Sequence, residues 1–209
     1  VVMAMLAYPL SRPNYKYKKI ATFFIFFTML FSGGLIPTYI WITRYLHLGD
    51  TIWVYILPCL VNAFHVIVIR SFFQGLPQAL MESAKIDGAS ELQTFFKIVM
   101  PLSKPVIATI SLLTLLSRWN DWNTALIYIK SSNLYSLQYL LQKILREAEF
   151  VKNMADSSPV AGMDLDLSNL PSVTIRFAMC MVAAGPMLII FPFFQKYFAK
   201  GLTVGAVKG

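Results

Sequence analysis

The sequence predicts an all-α protein, a polytopic bundle of transmembrane helices. Three observations predict it. The 209 residues are 57% hydrophobic and only 13% charged. Mean hydropathy is +0.61, beyond what a soluble domain of this size carries. The apolar residues are grouped into long runs separated by short basic or polar stretches, the pattern of spans and loops.

Five spans or partial spans occur along the chain. Val1–Tyr8 is apolar but too short to cross a hydrocarbon core of about 30 Å, which needs about 20 helical residues. It reads as the tail of a span, so the chain is expected to be truncated and to lack its first helix. No basic region precedes it, so no cleavable signal peptide is expected. Arg12, Lys16, Lys18 and Lys19 then form an acid-free basic loop, placed on the cytoplasmic side. Ile20–Tyr39 is the second span, with Gly33, Gly34 and Pro37 read as punctuation of its far end. Trp41–Asp50 is a short external loop. Thr51–Phe73 returns to the cytoplasm at Arg70. Residues 102–118 lead outward again, and Val173–Phe194 is the last span, kinked at Gly185-Pro186 and Pro192. A basic tail through Lys196, Lys200 and Lys208 ends inside.

Between the third and fourth spans lies the one long polar interruption, residues 75–105, carrying Glu82, Lys85, Asp87, Glu91 and Lys97. Gly88 divides it into two short helices, because glycine adopts the backbone angles of a sharp turn. Pro101 and Pro105 bracket the start of the next apolar helix, where a missing N–H matters least. Such a segment fits either a knob presented to a soluble partner or a loop lying on the bilayer surface.

The external segment, residues 123–171, opens with apolar positions at helical spacing (Leu137, Leu140, Leu141, Ile144, Leu145) and predicts an amphipathic helix over Leu137–Val151. Asn153–Asn169 reads as a loop. Asp164 and Asp166 lack the rest of a calcium loop, and no metal site is expected. Cys59 and Cys180 lie within apolar runs and read as packing residues, not as a disulfide or metal pair.

Polar residues inside or beside spans are the candidates for a pathway or outer gate. Asn62 and His65, three apart, share a helix face. They suit a water-filled path, or a hydrogen bond to a neighbouring helix. Trp119, Asn120 and Asp121 at the outer end of the fourth span suit a carbohydrate platform, or an interfacial aromatic belt with a polar helix exit. The net charge of +8 is spread over loops, with no basic run interleaved with stacking aromatics, so nucleic acid is excluded as the partner. A membrane enzyme would need clustered catalytic groups; Asn62 and His65 have no acid or nucleophile in the same span. A secondary transporter would need broken helices with ion-coordinating groups.

Glu82-Ser83-Ala84, Gly88, Ile98 and Pro101 closely resemble the EAA signature of ABC importer permeases, EAA-x3-G-x9-I-x-L-P. Ser83 and Met100 depart from it; both keep size, which packing tolerates. AYPLSR at 7–12, TMLFSGGLIPTYI at 28–40, WND at 119–121 and the closing residues 191–209 are similar to the carbohydrate branch of these permeases, which includes the maltose permease G subunit and the LplC/YtcP-like oligosaccharide subgroup. The resemblance covers the whole chain as a single permease domain of the type I importer fold and implies a further helix before Val1.

It also implies the partners: a homologous second permease, two cytoplasmic ATPases that bind ATP and Mg, and an extracytoplasmic sugar-binding protein. The implied location is the bacterial cytoplasmic membrane. This chain has no G-x-x-x-x-G-K-[ST] phosphate loop, and no catalytic role or cofactor of its own is implied. Glu82, Ser83, Ala84, Asp87, Gly88, Ala89, Ile98 and Pro101 are implied to couple to the ATPase. Glu82 would meet a basic residue of the ATPase or brace the two short helices; read from the residues alone, it would pair internally with Lys85. Ala84 and Ala89 would permit close docking, Asp87 would cap the second short helix or bond the partner, and Ile98 and Pro101 would pass motion to the fourth span.

Overall fold

The computed structural model describes residues 1–157 and 173–206, with side chains described over 1–150, at 153 and over 177–194. All regular structure among them is helical. The short first helix α1, Val2–Ser11, runs past the expected stop at Tyr8 and contains Pro9.

The second span is not one rod. α2 covers Lys18–Leu30 and α3 covers Leu35–Ile40, continued by a wider π-turn over Trp41–Tyr45. The two halves are bent by 113°. Gly34 takes φ +85 between them, and Pro37 falls in the first turn of α3, where its ring costs least. The expected external loop Trp41–Asp50 is therefore partly helical, because a new helix starts beyond the glycines. The third span is similarly divided. α4, Trp53–Ile56, passes into a 3-10 turn at Leu57–Cys59, and α5, Ala63–Gln74, comes next at 44°.

α6 is Gln78–Ile86 and α7 is Glu91–Thr94; a π-turn over Phe95–Val99 and the short α8, Met100–Leu102, complete the polar segment. α9, Lys104–Trp119, departs from it at 78°. Ser103 is the corner and is fully buried. α10 is Asn123–Tyr128, and α11 is Leu137–Ser157, so the amphipathic helix takes in Asn153–Ser157, residues expected to be loop. Asp164 and Asp166 lie outside the described residues.

α12, Val173–Ala206, stays helical through Pro186 and Pro192. Its stretch Phe177–Phe194, of mean hydropathy 2.1, is the one unbroken described helix long and apolar enough to span a bilayer; the three bent pairs qualify only if each counts as one span.

Two apolar clusters hold the chain together. The inner one joins Ala4, Ala7, Tyr8 and Leu10 of α1 to Val66, Ile69 and Phe73 of α5, Met81 of α6, Phe95 and Val99 of the π-turn, and Val106 and Ile110 of α9. Ala4 and Ala7 are small enough to let α1 lie close along α5. The outer cluster is smaller, built on Ile42, Val54, Ala125 and Ile129. α2 buries none of its residues; Phe23, Phe24, Phe27 and Phe31 face outward, as they would toward lipid or another subunit.

Candidate functional site

The polar segment forms a helical knob whose tip is set by backbone chemistry. α6 turns Met81 and Ala84 into the core and leaves Glu82, Lys85 and Ile86 outside. It ends in a Schellman motif: Ala89 N–H donates to the Ala84 carbonyl (2.9 Å) and Gly88 N–H to that of Lys85 (3.1 Å). Gly88 supplies the left-handed residue this motif requires, at φ +72. A Cβ there would meet nothing within 4 Å, so the demand is for conformation and not for space. Two residues on, Ser90 caps α7. Its Oγ accepts from Gln93 N–H (3.2 Å), while Gln93 Oε1 accepts from Ser90 N–H (2.9 Å), a complete capping box.

Asp87 therefore does not cap α7. It occupies the C-cap of α6, because the αL turn falls after it and the extended residue that begins the next helix is Ser90. The S-x-x-Q spacing carried that signal. Ala84 is buried and Ala89 half-buried, so both shape the turn from within. Ser83 Oγ donates back to the Ala79 carbonyl (2.9 Å). Lys85 pairs with Glu91 (3.3 Å) instead of Glu82, and among the described residues Glu82 forms no ion pair. Its carboxylate is free at the surface. Ile86 beside it is 86% exposed. Ile98 is half-buried in the π-turn and Pro101 exposed in α8, both on the path from the knob to the Ser103 corner.

The knob is anchored to α1. Tyr8 Oη donates to Glu91 Oε2 at 2.8 Å. Arg12, one turn later, donates to Tyr8 Oη and, at 3.2 Å, to Met81 Sδ. The Tyr8 ring packs against Phe95 (5.1 Å) and Phe73 (6.5 Å). The Tyr8 hydrogen bond, with help from Lys85, holds the Glu91 carboxyl below the usual carboxylate range. A cleft of about 640 Å³ opens beside these groups, with Arg12, Tyr15, Glu82 and Leu92 in its walls.

A family model described as "binding-protein-dependent transport system inner membrane component" matches residues 1–204. The chain belongs to that family.

Its relatives include two Bacillus subtilis proteins. One is the polygalacturonan/rhamnogalacturonan transport system permease protein YtcP, 42% identical over 99% of this chain and 70% of its own length. The other is protein LplC, 43% identical over 98% of this chain and 66% of its own. The chain thus spans about two thirds of these relatives. Among solved structures, a bacterial ABC transporter involved in import of the acidic polysaccharide alginate matches with a TM-score of 0.78 and 31% identity, over 95% of this chain and 70% of that one. The chain is a membrane permease component of a transport system, and the helical architecture is that of an ABC importer permease.

In this permease fold the outer candidates are held mainly by their own turns. Asn62 caps α5, its Oδ1 accepting from His65 N–H (3.1 Å); its bond is made to its own helix, not to a neighbour. Trp119 is the exception: its Nε1–H donates to the Ala183 carbonyl of α12 (2.7 Å), tying α9 to α12. Asn120 Nδ2 donates to the Leu116 carbonyl (2.9 Å). Asp121 pairs with Arg118 (2.9 Å) and accepts from Thr124 N–H (3.0 Å), while Arg118 also reaches Cys59 Sγ (2.8 Å). No described contact joins Asn62 or His65 to Trp119–Asp121.

The sequence reading missed Tyr8, Arg12 and Glu91 as a unit. The available signal was Tyr8 and Arg12 at i, i+4 on the last turn of a span, facing a segment rich in carboxylates.

Proposed function

We propose that this chain forms half of the translocation pathway of a carbohydrate ABC importer in the bacterial cytoplasmic membrane, crossing it several times. A homologous permease supplies the other half. Two ATPases hold ATP and Mg on the cytoplasmic side, and an extracytoplasmic binding protein delivers the sugar. The observation that carries the reading is the knob. Its tip, shaped by Gly88, offers a free carboxylate at Glu82 and an exposed aliphatic at Ile86, a mix of polar and apolar groups that a protein cleft can take. Of the EAA-like residues, Glu82, Ser83 and Gly88 are exposed on the knob, Ala84 is buried beneath them, and Ile98 and Pro101 lie between the knob and the Ser103 corner. Closure of the ATPases would push the knob as a rigid body, and the Ser103 corner would pass the push to α9, giving alternating access.

The cargo is taken to be an oligosaccharide. One relative is named for polygalacturonan/rhamnogalacturonan transport and the solved structure for import of the acidic polysaccharide alginate, so uronate-rich oligosaccharides are the first to assay. The deciding experiment is site-specific photo-crosslinking from Glu82 and Ile86 in native membranes, with mass spectrometry of the products. Adducts with an ATPase subunit are expected from both positions. An intact complex without such adducts sinks the docking role.

A further inference from the structure

We propose that Glu91 is a positioning residue: through Tyr8 and Arg12 it fastens the knob to α1, so that α1 is carried along when the knob is pushed. The inference rests on the importer reading and adds a second route of transmission, separate from the Ser103 corner and α9.

Both oxygens of the Glu91 carboxylate are used, and they face different elements. Oε2 takes the Tyr8 hydroxyl from α1 at 2.8 Å. Oε1 takes Lys85 from α6 at 3.3 Å, across the Gly88 turn. One side chain on α7 therefore holds both α1 and α6. The donor order is also fixed. Arg12 has no proton-accepting face, so it donates to Tyr8 Oη, and the phenol hydrogen is left to point at Glu91. Arg12 lies over the Tyr8 ring with its guanidinium carbon 4.3 Å from the centroid, and its bond to Met81 Sδ brings α6 into the same unit.

The phenol itself has little freedom. Tyr8 is 8% exposed and sits between Phe73 of α5 and Phe95 of the π-turn. A displacement of α7 thus reaches α1 through a short chain of hydrogen bonds backed by packed rings. From α1 it passes to α5, against which α1 lies for its length. An exposed pair such as Lys85–Glu91 contributes little to stability. Its geometry, closing a loop of three elements, is what gives it a role.

If this anchor is cut, the ATPases can move the knob without dragging α1 and α5, so ATP hydrolysis should proceed more freely while losing its link to the pathway. The test uses the purified permease–ATPase complex in nanodiscs, with ATP as the probe and no sugar. Glu91→Ala and Tyr8→Phe, each of which removes one partner of the bond, are expected to raise basal kcat for ATP about fivefold, a coupling free energy of the usual order. KM for ATP and the amount of ATPase recovered with the chain should stay unchanged. The double variant should show no further rise, since the two residues act as one unit. Tyr8→Cys/Glu91→Cys in a Cys59→Ser, Cys180→Ala background, joined by a bifunctional thiol reagent, should return kcat to the starting value. An unchanged or lowered kcat, an additive double variant, or a rise that the tether does not reverse would overturn the anchor. Failure of the unsubstituted chain to recover any ATPase would instead bring down the importer reading, and the anchor with it.

Discussion

The knob end of the molecule and the end around Asp50 and Asp121, which the sequence assigns to the inner and outer sides, are held by different kinds of bond. At the inner end, α1, α5, α6 and the π-turn are joined to one another by packed side chains, the Arg12 to Tyr8 to Glu91 relay and the Lys85–Glu91 pair, while the Ser90–Gln93 capping box serves the backbone of α7 alone. At the outer end, short irregular segments leave backbone groups without helical partners, and carboxylates and hydroxyls are spent on them. Asp50 Oδ1 accepts from Lys130 N–H (2.9 Å) and Ser131 N–H (2.8 Å), and its Oδ2 from Ser131 Oγ (2.6 Å). Tyr55 Oη donates to the Leu134 carbonyl (3.0 Å), and Ser136 Oγ to that of Asp121 (3.2 Å). A joint made of side chains lets whole helices shift as bodies, whereas bonds to backbone fix the course of a loop. Substitutions inside should therefore change what the protein does with its partners, and substitutions outside should change local order.

The sharpest contrast is expected from Gly88. An L-residue in the left-handed region costs about 1–2 kcal/mol, and relief of that strain would dismantle the Schellman turn. Gly88→Leu should leave the chain in the membrane at normal level yet abolish ATPase recovery in a pull-down. Gly88→Asn should keep much of it, since asparagine tolerates this conformation. Equal recovery from the leucine variant would mean that the turn is not what the partner reads.

A smaller, purely local effect is expected from Asp50. Asp50→Ala should speed amide exchange at Lys130 and Ser131 and leave Gln93 at the inner end unaffected. The same bonds give a pH test. The Ser131 hydroxyl, then the Ser131 and Lys130 amides, hold the Asp50 carboxyl below its ordinary value. A lowered folded-state pKa means that the stabilisation is fully present above the unfolded value, about 3.9, and is lost as pH falls through the folded one. Protection of the two amides, expressed against their intrinsic exchange rates, should thus persist through mildly acidic pH and fade only below that range. Loss already near pH 6 would assign the protection to some other group.

This difference in bonding also explains what could be read in the sequence. Composition and run lengths disclosed the helical membrane class, because a bilayer constrains every span alike. Gly88 disclosed the break between α6 and α7, because a local demand for φ +72 leaves a local mark. The 113° bend at Gly34 was harder to foresee. The same Gly-Gly-x-x-Pro letters mark a helix end and a helix restart, and only the course of the chain beyond Pro37 tells them apart. The Glu91–Tyr8 bond spans 83 positions, and nothing in either local pattern announces the other. Asn62 and Asp121 were legible as polar residues needing partners. That their partners lie within their own turns is a matter of cap geometry, which hydropathy patterns do not resolve.

The mildest inner perturbation separates the two devices at the knob. Ser90→Ala removes the acceptor for Gln93 N–H and leaves a helix start uncapped, a loss of about 1 kcal/mol. Gln93 exchange should quicken, while Ser90→Asp should retain most of its protection. ATPase recovery should fall less than it does for Gly88→Leu, because the Ala89-to-Ala84 and Gly88-to-Lys85 bonds close the turn without any help from the Ser90 side chain. If Ser90→Ala proves as damaging as Gly88→Leu, then α7 with its cap is the surface the partner grips, and the αL turn only brings it there.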